Sequence, residues 1–344
     1  MSTDKLACVT GASGFIGSHV VRDLLDRGFR VRGTVRDHTD EGKTAHLRKI
    51  ADGRGDRLEL VSANLLEAEP WDAAVAGCDY VFHVASAVFL SAKNPQVDIV
   101  DPAVKGTEHV FAAITRAGSV KGVGLTSSIA AIASTERRDG HVFTEEDWVE
   151  DATLENNPYG LAKKLAEKSA WRAREALPLE SRYEMVVVNP VLVLGPAYAR
   201  VHLRSSLSVI RDLARGAFKG APNLGFGIVD VRDVVAALVG GLLDGGNSGR
   251  YILNKEFLTM RDIAQVIKEE FPELKVPTRR LPNLVMYAAA MFDKRLSWAF
   301  LKRNLGRRGD YSNAKITSDL GLELRDSRDS IVSTVNSMKE HGFI

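Results

Sequence analysis

Cysteine is almost missing from this 344-residue chain. Its only two, Cys8 and Cys78, each sit inside an apolar, strand-like run, which argues against a disulfide framework or a cysteine metal site and fits a reducing compartment. Net charge is also scarce. The formal value is +2, and no run of lysine or arginine is long enough to act as a nucleic-acid arm. R-R-L-P at Arg279 and R-R-G at Arg307 read as solvated surface. Long apolar runs are lacking too. The nearest, Leu284 to Leu301, is interrupted by Asp293, Lys294 and Arg295, and is expected to be an amphipathic helix packed on the core. The N-terminal M-S-T-D-K-L-A-C-V-T-G enters an apolar strand without space for a signal peptide, so a cytoplasmic protein is expected.

What is present is a rhythm. Short β-branched runs at 6–10, 29–35, 58–63, 79–85, 123–127 and 183–188 are separated by helix-length segments, among them Phe15 to Arg27 and Thr44 to Ala51. Strands alternating with helices predict an α/β fold, a doubly wound parallel sheet of the Rossmann type with ligands at the carboxyl ends of the strands. After Pro190 the rhythm loosens around Pro196, Gly216, Gly220 and Pro222. A helix is expected from Val231 to Leu243, a strand from Arg250 to Leu253 and a helix from Met260 to Phe271. The expected division is a dinucleotide-binding domain over 1–195, with 228–253 returning to it, and a smaller substrate-binding lobe over 196–344.

V-T-G-A-S-G-F-I-G places Gly11, Gly14 and Gly17 between the first strand and a helix. Glycines there allow a tight turn, close backbone approach to a pyrophosphate and close helix packing, and the helix N-terminus faces the phosphate charge. The second strand selects the dinucleotide. An NAD site wants an acid at its end to bind the ribose hydroxyls. Here Thr34 and Val35 occupy that place and Arg36 follows, a guanidinium suited to the 2′-phosphate of NADP(H). Lys43 adds a second charge if the loop folds back, and Asp37 is the counter-evidence.

Tyrosine and lysine stand four apart three times, at Tyr159 and Lys163, Tyr251 and Lys255, and Tyr311 and Lys315. On a helix such a pair shares a face one turn apart, whereas on a strand the two stand roughly 13 Å apart. Tyr251 falls in a strand pattern. Tyr311 lies outside the alternation and reads as a surface residue at a helix start. Tyr159 follows Asn157 and Pro158, a cap and first turn, and precedes the helix formers L-A-K-K-L-A-E-K. The preceding strand ends in Ser127 and Ser128. The expected chemistry is hydride transfer from a reduced nicotinamide to a carbonyl carbon. Ser128 would hydrogen-bond the carbonyl oxygen, Tyr159 would donate the proton, and Lys163 would favour the phenolate and reach the nicotinamide ribose.

T-G-A-S-G-F-I-G, V-R-G-T-V-R-D, C-D-Y-V-F-H-V-A-S, L-T-S-S and Y-G-L-A-K occur in an order that resembles the extended short-chain dehydrogenase/reductases. A-E-K-S-A-W and N-P-V-L-V-L-G-P resemble, more narrowly, the branch of dihydroflavonol 4-reductases, cinnamoyl-CoA reductases and fungal aldehyde and ketone reductases. The resemblance implies Ser128, Tyr159 and Lys163 as catalytic residues. It implies cofactor contacts at Gly11, Gly14, Phe15, Ile16, Gly17, Arg36, Asn64, Leu65, Tyr159 and Lys163, with Lys43 at the phosphate, Ala85 near the ribose and Pro190 and Leu192 against the nicotinamide. Asn64 stands where the family has aspartate, and its side-chain oxygen can still accept from adenine. The run of tryptophan, tyrosine and cysteine around the catalytic tyrosine of the plant cinnamoyl-CoA reductases is absent here, so a free aldehyde or ketone is expected rather than a CoA thioester. Ser86 to Ser91, Ile129 to Thr135, Tyr198 to Ser206 and Ala221 to Phe226 should line the pocket; His202 could contact a substrate, but an exposed or core histidine is the expectation.

The leading expectation is thus an NADPH-dependent carbonyl reductase, monomer or homodimer, with a small-molecule substrate and no metal, nucleic-acid or membrane partner. A 3β-hydroxysteroid dehydrogenase or a nucleotide-sugar epimerase could use the same triad, although the epimerase wants the missing strand-end acid. A non-catalytic NADP sensor would keep the glycine turn without needing the triad.

Overall fold

The computed structural model describes residues 4–54, 56–86, 93–134, 140–245, 248–290 and 298–344. Its centre is a sheet of seven strands: β1 (Leu6–Thr10), β2 (Arg30–Val35), β3 (Leu58–Ser62), β4 (Tyr80–His83), β5 (Gly122–Thr126), β7 (Glu184–Pro190) and β10 (Gly249–Leu253). The spatial order is β10-β7-β5-β4-β1-β2-β3, and every neighbouring pair is parallel. The order reverses direction between β1 and β4, the place where a doubly wound sheet opens a crevice for a ligand.

Near-continuous apolar strands explain this arrangement. Parallel strands covered on both faces need apolar side chains above and below. In β7, Val186 and Val188 enter one core while Met185 and Val187 enter the other, the period of two expected of a strand. The first core lies under α1 (Phe15–Asp26), α2 (Glu41–Ala51) and the helical stretch 231–243. The second lies under α3 (Pro70–Val75) and α4 (Asp101–Ala117), with fully buried Trp71 and Phe111 at its centre. Cys8 and Cys78 are buried there as free thiols. The stretch expected as one helix from Val231 to Leu243 contains a wider π-turn over Ala236–Gly240, ending at the Gly240 and Gly241 pair.

Smaller sheets complete the chain. β8 (Leu192–Leu194), β9 (Gly225–Asp230) and β11 (Glu256–Thr259) form one, and β6 (Val142–Phe143) pairs with β12 (Asp310–Tyr311) in another. Two expectations are corrected here. Tyr311 lies on that short strand, with its ring 6.2 Å from Phe143, rather than at a helix start. In the 284–301 region the described residues are helical over Asn283–Ala290 and Trp298–Asn304, residues 291–297 lie outside the described residues, and the apolar side chains that are described do not all pack on the core. Met286 and Leu301 are buried, but Leu284 is 80% and Trp298 60% exposed, so the apolar residues do not form one inward stripe. Among the described residues no helix is long and apolar enough to cross a membrane.

Candidate active site

The strands deliver the predicted residues to one edge of the sheet. Thr10 ends β1, and Gly11 turns the chain with φ +64°, a left-handed conformation that favours glycine. A Cβ on Gly11 would lie 2.9 Å from Ala85 Cα, and one on Gly17 would lie 2.2 Å from the Gly11 carbonyl oxygen. Side chains at these two positions would therefore push β4 and α1 away from the turn. Gly14 is the N-cap of α1 and supplies no side-chain cap to the helix, whose first turn holds Phe15, Ile16 and Gly17. The turn and the helix start together form a cradle for an anion.

Ala85 is held against this turn by Thr10. The Thr10 hydroxyl oxygen accepts from the Val84 and Ala85 backbone N–H groups at 3.1 and 3.0 Å and lies 2.8 Å from His83 Nδ1. With two donors already on its oxygen, the hydroxyl donates its own hydrogen to Nδ1, which assigns the ring proton to Nε2. Burial, and then the Lys163 ammonium, lower the His83 pKa to about 3, so the ring is neutral at ordinary pH.

At the end of β2, Thr34 is buried and no acid occupies the strand end. Arg36 is exposed. Asp37 is committed locally: one carboxylate oxygen accepts from the Thr39 N–H at 2.9 Å and from its hydroxyl at 2.7 Å. These bonds hold the Asp37 carboxyl below its ordinary pKa. Lys43, in the first turn of α2, forms an ion pair with Asp40 at the N-cap. Asn64, two residues past β3, accepts from the Leu66 N–H at 3.2 Å and donates to Glu67 at 2.9 Å, so its side chain already braces its own loop.

At the end of β5, Ser127 is buried and Ser128 caps a 3-10 turn over Ile129–Ala131, its hydroxyl oxygen accepting from the Ala130 N–H at 3.2 Å. α5 (Pro158–Glu175) begins opposite this turn. The Asn157 side chain caps it by accepting from the Gly160 N–H at 3.1 Å, and Pro158 opens the first turn. Tyr159 is half-buried in that turn, and Lys163 lies one turn further on, 8% exposed. Lys163, Ser127, His83, Ala85 and Leu65 line a single small cavity. Pro190 ends β7 and Leu192 begins β8.

Tyr251 sits on β10 and is fully buried, with the Lys315 ammonium 5.0 Å over its ring. One member from each of the two rejected pairs thus meets in a structural contact. The stretch 198–206 is tied to α1 and α2: His202 is 2% exposed, with its Nε2 3.3 Å from the Ser18 hydroxyl, and the Tyr198 hydroxyl is 3.1 Å from His19 Nδ1. His202 is therefore a core histidine. Ser86 is described, whereas residues 87–91 and 135 of the expected pocket lining lie outside the described residues. Among the described residues no group of three or more histidine, cysteine, aspartate or glutamate side chains could hold a metal.

Sequence reasoning missed the layer beneath the serines. Glu167, Asn189 and Arg250 are buried and converge on Ser127 and Ser128. The i, i+4, i+8 spacing of Tyr159, Lys163 and Glu167 was the available signal.

The model of the NAD dependent epimerase/dehydratase family matches residues 7–252. A cinnamoyl-CoA reductase CAD2 from Medicago truncatula is 37% identical over 98% of this chain and 97% of its own. An anthocyanidin reductase from Vitis vinifera is 35% identical over 80% of this chain and 83% of its own. The structure of yeast methylglyoxal/isovaleraldehyde reductase Gre2 complexed with NADPH superposes with a TM-score of 0.79 at 28% identity, covering 98% of this chain and all of that one. The chain belongs to the NAD dependent epimerase/dehydratase family, among the extended short-chain dehydrogenase/reductases its motifs resemble.

Proposed function

We propose that this chain reduces an aldehyde or ketone to the alcohol with NADPH, and runs the reverse oxidation with NADP. The observation that carries the reading is the placement of Tyr159 and Lys163 on the first turns of α5, against the Ser128 turn and on the sheet edge where the glycine cradle opens.

The cradle fits a dinucleotide on two grounds. The tight turn from β1 into α1 tolerates no Cβ at Gly11 or Gly17, which would meet Ala85 Cα and the Gly11 carbonyl oxygen, and the α1 N-terminus that this turn presents offers backbone donors for a pyrophosphate. Arg36 takes the 2′-phosphate, since Asp37 is engaged with Thr39, and Lys43 adds a second cation after exchanging its Asp40 partner. Leu65 and Ala85 would hold the adenosine and ribose side, Asn64 the adenine, and Pro190 and Leu192 the nicotinamide. When bound, the reduced nicotinamide supplies the hydride.

The chain's own residues handle the rest. As hydride reaches the carbonyl carbon, negative charge grows on the oxygen, and a preorganised donor there lowers the barrier. Ser128 donates to that oxygen and Tyr159 delivers the proton. Lys163 stabilises the phenolate left behind and holds the ribose. Atoms balance: carbonyl, hydride and one proton give the alcohol. The chain after residue 195, apart from the helical stretch 231–243 and β10, which belong to the central sheet and its core, shapes the carbonyl pocket.

The test is loss of NADPH absorbance with a panel of isovaleraldehyde, methylglyoxal, ketoesters, steroids and a cinnamoyl-CoA thioester. Turnover of a free aldehyde or ketone is the expected result. Tight NADPH binding with no turnover of any member would replace this reading with that of a sensor, and turnover of the thioester alone would move the substrate class.

A further inference from the structure

Glu167 has no solvent exposure at its side chain, yet three donors meet its carboxylate. One oxygen accepts from the Ser127 hydroxyl at 2.5 Å and from Asn189 Nδ2 at 2.9 Å, and the other accepts from Arg250 Nε at 2.5 Å. Asn189 Nδ2 also donates to the backbone carbonyl of Ser128 at 3.2 Å. Both neighbours of that amide are acceptors, which fixes its orientation. Arg250 is anchored in turn: its Nη1 donates to the carbonyls of Glu145 and Asp147 at 2.6 and 2.8 Å, and its guanidinium stacks 3.7 Å from the Trp148 ring centroid.

The four elements joined at this carboxylate are those that place the chemistry. α5 brings Glu167 on the same helix as Tyr159 and Lys163. The end of β5 brings Ser127 next to Ser128, β7 brings Asn189, and β10 brings Arg250. A buried ion pair is weak evidence for stability, because desolvation offsets the attraction. Holding one geometry among several elements is a use such a pair can serve.

We propose that Glu167 is a positioning residue that sets Ser128 against Tyr159, acting through Ser127 and Asn189 with Arg250 as its counter-charge. The proposal rests on the reading of Ser128 and Tyr159 given above. A displacement of α5 relative to β5 breaks the Glu167 bond to Ser127 and pulls on Asn189, which also holds the Ser128 carbonyl, so one buried carboxylate links the positions of the carbonyl-oxygen donor and the proton donor. A small misplacement of reacting groups costs on the order of 100-fold in rate.

The experiment is a double-mutant cycle on kcat between Glu167→Gln and Ser128→Ala, with NADPH affinity measured in parallel by fluorescence titration. Expected are a fall in kcat on the order of 100-fold for Glu167→Gln and NADPH affinity within about twofold of wild type. Ser128→Ala, worth on the order of 100-fold in the intact protein, should cost less than about tenfold in the Glu167→Gln background. If Glu167→Gln fails to fold, Ser127→Ala, which removes one donor and no charge, carries the same cycle with an expected fall of roughly tenfold. Additive effects in the cycle, or a kcat within twofold of wild type for the position-167 or position-127 variant, would overturn the proposal and leave Ser128 in place. Full activity in Ser128→Ala alone would instead remove the role of Ser128, and the proposal with it.

Discussion

Gly160, the residue after Tyr159, approaches Ala130 so closely that a Cβ there would lie 3.1 Å from the Ala130 carbonyl oxygen and 2.3 Å from Asn157 Nδ2. The Ser128 turn therefore rests directly on the first turn of α5. Gly160→Ala should push the two apart or dislodge the Asn157 cap. Overpacking of this kind costs about 1–3 kcal/mol. The expected outcome is a loss of kcat larger than the loss of thermal stability accounts for, read from turnover at a temperature where the variant is fully folded.

Cofactor choice should depend on Arg36 more than on Asp37, whose carboxylate is engaged with Thr39. Arg36→Ala should weaken NADPH by at least about tenfold through the loss of charge-assisted hydrogen bonds, and leave NADH nearly unchanged. Titration of both reduced cofactors against wild type and variant checks this. Equal use of the two by the wild type would contradict it.

Buried neutral histidines should make the protein acid-labile. Burial first, with smaller charge effects, lowers His19 to about 4, His83 to about 3 and His202 to about 3, against an ordinary 6.5. Above 6.5 both folded and unfolded rings are neutral and stability is unaffected. Below it the unfolded rings take up protons that the folded rings refuse, so stability falls until the folded pKa values are reached. Each such histidine costs about 2 kcal/mol at pH 5. Urea midpoints should drop between pH 6.5 and 4, and His202→Phe should flatten the slope. A pH-independent midpoint over that range would contradict this account.

The strands of the central sheet were legible because each is a short apolar run bounded by turn residues, and their bounds fall within two residues of expectation. The glycine turn after β1, the exposed position of Arg36 after β2, the Ser128 turn after β5 and the start of α5 at Pro158 were legible as placements for a related reason: each is a local sequence pattern. What escaped was non-local. β6 and β12 are two residues each and pair across 168 positions of chain (310 against 142), so no periodicity announces them. Glu167 read as one more helix former in L-A-K-K-L-A-E-K, because its partners Ser127, Asn189 and Arg250 come from three different strand regions. The 284–301 region misled because an apolar composition was taken for an inward face, whereas Leu284 and Trp298 point outward.

The most direct test of the central claim is the turnover of Tyr159→Phe with the best carbonyl substrate of the panel, alongside its NADPH affinity and thermal midpoint. The account predicts a fall in kcat of about 100- to 10,000-fold, the range for loss of a general acid, with cofactor binding and folding intact. Near-normal turnover in a folded Tyr159→Phe protein would contradict it.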